Sequence, residues 1–266
     1  MSEYDNPETQ PRLQRTTGDG GTVAVAGSRR VAIVCAMERE VAGLVKGWRV
    51  ESAAGGFKRY RVFENERATV VVAGIGRAAA RGAAELAWQR SHADVLISAG
   101  FAGETAGGLR IGGPYTAATV IDAETGASFP TLFGLGVLAT SAVVLGADEK
   151  RSVYDRYGAQ AVDMEAAAVA EVARQHGAGF LAVKAISDLH DFPMPPMGRF
   201  VDDSGDFHAA RFALWTLMRP AQWGAVRQLG HNSAAAARTL HQSLAALLQA
   251  EDLRSAGLDG GKLGLR

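Results

Sequence analysis

The chain has 266 residues, 47% of them apolar, enough to bury one sizeable core. Its 28 basic and 28 acidic residues cancel to a formal charge of zero, which sets aside nucleic acid and anionic membranes as partners and leaves small-molecule chemistry. Cys35 is the sole cysteine, so an internal disulfide and any multi-cysteine metal site are excluded, and a reducing cytoplasm fits.

Residues 1–28 are polar, with no apolar signal-peptide core, and read as a disordered tail ahead of a single domain over 29–250. The run RRVAIVCAM (29–37) has the pattern of a strand buried on both faces, and EREVAGLVKGW (38–48) is compatible with a helix. RYRVFE and ATVVVAGIG, separated by the polar turn NER, read as paired strands. A helix over 77–92 and a strand ADVLISAGFAG (93–103) follow. YTAATVIDA and GLGVLATSAVVL are strand-like. The uncharged stretch 125–147 is long enough to span a bilayer, but its proline and glycines suit a loop and a buried strand better. DEKRSVYDRYG reads as a short helix, AQAV as a brief strand, EAAAVAEVARQHG as a helix closed by Gly177, and AGFLAVKAISD as a buried strand. Two helices split by Pro220 close the domain, and 251–266 reads as a frayed tail. This alternation predicts an α/β fold: one domain with a mixed, twisted central sheet flanked by helices.

Ligands of open α/β sheets sit beyond the carboxyl ends of the strands, which would gather Glu38, Glu40, the 98–104 loop, Ser187 and Asp188. Asp188, ending an apolar strand, could be a desolvated carboxyl that holds a proton for donation, or a cap. Glu38 reads as a first-turn surface acid and Asp163 as an N-terminal helix acid. The glycines of AGIGRAAARGA match neither a nucleotide-triphosphate loop nor a dinucleotide fingerprint; a tight strand-to-helix turn is at least as good a reading as a ligand contact. Arg77 there reads as a solvated side chain before an anion contact.

In combination, VAIVCAMEREV, VVVAGIGRAAA, ADVLISAGFAG, AVDMEAAAVAEVARQHG and FLAVKAISD resemble, in unbroken order, the purine nucleoside phosphorylase and nucleosidase superfamily, especially the methylthioadenosine/S-adenosylhomocysteine nucleosidases. The resemblance implies that Glu40 activates the attacking water, that Met164 and Glu165 hold the ribose, and that Asp188, helped by Ser187, protonates N7 of an adenine-type purine. It also implies contacts from Gly100, Phe101 and Val144, no cofactor or metal, a homodimer, and a role in nucleoside catabolism or salvage. The residue types suit the chemistry: the departing base needs a proton, and a water on the opposite face needs a base. Phe101, where the family carries a small hydroxyl residue, and Val144, where an aromatic is expected, depart from the pattern. SDLHDFPMPPMGRFVDDSGD resembles the hopanoid-associated phosphorylases, which keeps phosphorolysis open, with Arg39, Arg77 or Arg110 as phosphate contacts, although Ser98 stands where bacterial phosphorylases carry arginine. A catalytically impaired nucleoside-binding protein is the third reading.

Overall fold

The computed structural model describes residues 30–250; both predicted tails lie outside the described residues. The central strand, β1 (Val31–Cys35), is buried along its whole length. Ala32 and Val34 face one hydrophobic cluster, while Val31, Ile33 and Cys35 face a second on the opposite side. Parallel to β1 run β4 (Ala68–Val72) on one edge and β5 (Val95–Glu104) on the other. Antiparallel β2 (Arg49–Gly55) and β3 (Lys58–Glu64) extend the sheet beyond β4.

The ten-residue β5 organises the rest. Its first half pairs with β1, Val95–Gly103 with parallel β11 (Gly179–Asp188), and its last two residues with antiparallel β10 (Ala161–Asp163). From β10 the sheet continues through β9 (Val137–Thr140) and β7 (Thr119–Asp122) to β8 (Ser128–Pro130), while β6 (Pro114–Thr116) lies on β11. Helices α1 (Arg77–Ser91) and α3 (Ala166–Gln175) pack together over one face. The long α5 (Pro220–Gln249) covers β11 and β5 on the other. Between them in sequence stand α2 (Ala147–Tyr157) and α4 (Ala209–Leu217).

The mixed sheet flanked by helices agrees with the expectation from sequence, and three local features differ from it. Residues 38–48 form only a 3-10 turn (Glu38–Glu40) and further turns. Gly43 lies where a Cβ would come within 2.3 Å of His241 Nδ1 of α5, and Gly47 has φ 83°, so the segment is bent to fit beneath α5. The strand expected over 134–145 stops at Thr140, because Ser141 turns the chain through its hydroxyl, which accepts the Val143 N–H at 3.2 Å. Strand β2 has no periodic signal of its own; it is an edge strand formed by its register with β3. The uncharged 125–147 stretch holds β8 and β9, and no described helix is long and apolar enough to cross a membrane.

Candidate active site

A cavity of about 460 Å³ opens at the carboxyl ends of β1, β5 and β11. Each wall is shaped by a local device. The chain turns from β4 into α1 through Gly74 and Gly76, with φ of 93° and 97°. A Cβ on Gly74 would lie 2.9 Å from the Gly205 carbonyl. The Gly76 N–H donates to Glu165 Oε1 at 2.8 Å, so this glycine turn braces a carboxylate, and the tight-turn reading describes it.

Glu40, 2% exposed, accepts the N–H groups of Ala36 and Met37 on Oε2, both at 2.9 Å, and that of Phe101 on Oε1 at 3.3 Å. Burial pushes its proton affinity above the ordinary carboxylate range, against the opposing pull of the Met37 N–H and the Lys184 ammonium. Glu165 begins α3. Burial, with the Asp163 charge second, pushes its pKa up to about 7 despite Lys184.

Asp163 keeps the expected role as a helix acid, accepting the Ala166 N–H at 2.9 Å. It also forms a fully buried ion pair with Lys184 at 2.7 Å and accepts from Thr140 Oγ1 at 2.7 Å. Lys184 donates in turn to Ser98 Oγ at 2.9 Å, so Ser98 belongs to this network. A lysine inside the apolar run FLAVKAIS calls for a buried carboxylate, and that signal in the sequence could have revealed the pair.

At the end of β11 the register against β5 slips: Ile186 faces Ala102 and Asp188 faces Gly103, leaving Ser187 extra. Consecutive strand residues ordinarily point to opposite faces. The bulge turns both Ser187 and Asp188 onto the cavity wall. Ser187 Oγ donates to Asp188 Oδ1 at 2.7 Å.

Asp188 is 5% exposed, and the Lys150 ammonium of α2 contacts its Oδ2 in a buried ion pair. Lys150 also donates to the Leu189 carbonyl at 2.9 Å. Within DEKRSVYDRY a lysine reads as part of a solvated helix face, so nothing local distinguishes it. Among the candidates from sequence, Glu40, Phe101, Val144, Met164, Glu165, Ser187 and Asp188 all line the cavity. Gly100 does not; it lies behind the Glu40 carboxylate, 3.3 Å from where its Cβ would stand. His190 faces Glu104 Oε2 at 3.1 Å.

The three arginines have separate fates. Arg77 lines the cavity but is paired with Asp122 and, at 3.6 Å, with Glu124. Arg110 is not on the wall, and Arg39 lines the cavity with its guanidinium over the Phe101 ring at 5.6 Å. Residues 194–205 roof the cavity with Met194, Met197 and Val201, and α5 adds Leu229 and Ser233. Among the described residues no group of three or more His, Cys, Asp or Glu side chains is placed to hold a metal ion.

Solved structures with this architecture include the 5′-methylthioadenosine/S-adenosylhomocysteine nucleosidase of Helicobacter pylori, with TM-score 0.62 and 17% identity over 84% of this chain and 98% of that one. The nucleosidase of Streptococcus pneumoniae, solved with a transition-state inhibitor, gives 0.61 and 20% over 84% and 100%. The futalosine hydrolase of Helicobacter pylori gives 0.58 and 16% over 79% and 95%. No curated protein matches the sequence. A phosphorylase superfamily model matches residues 133–209, the stretch that carries Lys150, Glu165 and Asp188. The chain thus has the fold of the purine nucleoside phosphorylases and nucleosidases, and it bears the sequence signature of the phosphorylase superfamily across that part of its site.

Proposed function

We propose that the protein cleaves the N-ribosidic bond of a purine nucleoside by hydrolysis, in nucleoside catabolism or salvage in the cytoplasm. The observation that carries this reading is the convergence of Glu40, Glu165 and the Ser187–Asp188–Lys150 group, from four separate segments, on one cavity. In the reaction the C1′–N9 bond breaks as water attacks C1′. Glu40 takes the water proton, Glu165 accepts hydrogen bonds from the sugar hydroxyls beside Met164, and the base leaves with a proton supplied at N7 by the Lys150–Asp188 pair, which solvent then restores. Adenine-type nucleosides, implied by the resemblance, and 6-oxopurine nucleosides both satisfy a mechanism built on N7 protonation.

Hydrolysis is favoured over phosphorolysis because Arg77 is taken by Asp122 and Lys184 by Asp163 and Ser98, which leaves Arg39 on the cavity lining as the one candidate phosphate contact without a carboxylate partner among the described residues. A homodimer belongs to the same reading. Val143, 62% exposed at the cavity rim, offers the apolar surface a second copy would cover. The test is incubation with inosine, adenosine and methylthioadenosine in phosphate-free buffer. Free base and free pentose are the expected products; release that depends on added phosphate would replace hydrolysis with phosphorolysis, and tight binding without release would make this a nucleoside-binding protein.

A further inference from the structure

We infer that the site selects a 6-oxopurine over a 6-aminopurine, with Lys150 as the residue that reads the oxygen. The inference rests on the reading that the cavity takes a purine nucleoside and names the class of base.

Lys150 is 2% exposed, yet its side chain lines the cavity beside Ser187 and Asp188. An ammonium has three N–H donors. Two of them reach Asp188 Oδ2 and the Leu189 carbonyl, and the third has no acceptor among the described residues. The neighbouring strand is cut away to house the group: a Cβ on Gly103 would stand 2.6 Å from Asp188 Oδ2 and 3.1 Å from Lys150 Nζ. Both carboxylate oxygens are already engaged, Oδ1 by the Ser187 hydroxyl and Oδ2 by Lys150.

On a purine, N7 and the 6-substituent are neighbours on one edge. A 6-oxopurine presents two acceptors there, whereas a 6-aminopurine presents an acceptor and a donor. A group placed to protonate N7 therefore stands next to the 6-substituent. With Lys150 beside Asp188, that neighbour is a buried donor whose third N–H has no acceptor among the described residues. An exocyclic oxygen fills the open N–H of Lys150. An amino group sets donor against donor and leaves an N–H of this 2% exposed ammonium unsatisfied, the kind of mismatch binding sites reject most strongly.

Equilibrium binding of hypoxanthine and adenine to the full chain, by calorimetry, tests this without requiring turnover. Hypoxanthine is expected to bind at least about tenfold more tightly. Equal affinities, a preference for adenine, or binding of neither base would overturn the inference. In Lys150→Met the preference should vanish, and in Lys150→Arg, which keeps a donor, it should survive. A loss of affinity for both bases by the same factor in Lys150→Met would reduce Lys150 to a structural part and also overturn it; should Lys150→Met not fold, the wild-type ratio and the arginine variant decide. Equal hydrolysis of inosine and adenosine would leave the hydrolase reading standing and remove this one. Hypoxanthine bound selectively, with no base released from either nucleoside, would do the reverse.

Discussion

At the scale of single residues, the two buried lysines alter what the carboxylates can be. Asp188→Asn removes the carboxylate that balances Lys150, so the variant leaves a buried ammonium without a counter-charge. Turnover should fall by about 10²–10⁴-fold, and stability by about 3–5 kcal/mol. Steady-state kinetics and thermal unfolding of the same preparation check both, and an unchanged melting temperature would argue against the pair. Glu40 yields a pH prediction. Its proton affinity is raised by burial and the reaction uses its carboxylate, so activity should be lost as pH falls through a value above the ordinary glutamate range, and Glu40→Gln should be inactive at every pH. Taken singly, Glu40, Glu165 and Asp188 read as ordinary acids in sequence; the family resemblance of the motifs around them singled them out, and all three line the cavity. Lys150 was not, because its burial depends on a partner 38 residues away that no local pattern announces.

Among elements, β5 and α5 hold the most information that sequence alone does not carry. A strand in ADVLISAGFAG is plain from composition; that Phe101, Ala102 and Gly103 also line the site follows from pairing with β10 and β11. The bulge that brings Ser187 and Asp188 to one face is equally invisible, since ISD reads as the last pleat of a regular strand. The 38–48 segment shows the opposite failure. Its composition permits a helix, but α5 comes so close that Gly43 donates its N–H to His241 Nε2 at 3.4 Å. Gly43→Ala is therefore expected to cost about 1–3 kcal/mol by overpacking. The effect should appear as faster amide exchange along α5, together with weaker activity, because Glu40 lies three residues upstream.

For the whole molecule, stability and function oppose each other at Glu165. Its folded pKa of about 7 lies above the 4.5 of an unperturbed glutamate. The folded state binds its proton more tightly, so the contribution to stability is fully present below the unfolded value and is lost as pH rises through the folded one. The protein should therefore lose stability between about pH 4.5 and 7 relative to Glu165→Gln, measured by paired denaturant titrations across that window. A site that gathers Asp163 and Glu165 around one cavity carries this cost in every neutral buffer.

The roof of the cavity has a kinetic consequence. Residues 202–206 are fastened to the β3–β4 side by the Ile75 N–H donating to the Gly205 carbonyl at 2.7 Å, and by Lys58 reaching the Ser204 carbonyl at 3.0 Å and Asp206 at 2.6 Å. Asp206 is 60% exposed, so the last of these fastenings is open to screening by dissolved ions. Raising salt should then act as a lubricant on ligand traffic. Release measured by stopped flow is expected to quicken from low to near-molar sodium chloride, and Asp206→Asn should abolish most of that dependence while leaving the chemistry of the bond unchanged. The hold of β3 on the cavity rim, through Lys58 and Asp206, is thereby expected to vary with the ionic strength of the medium.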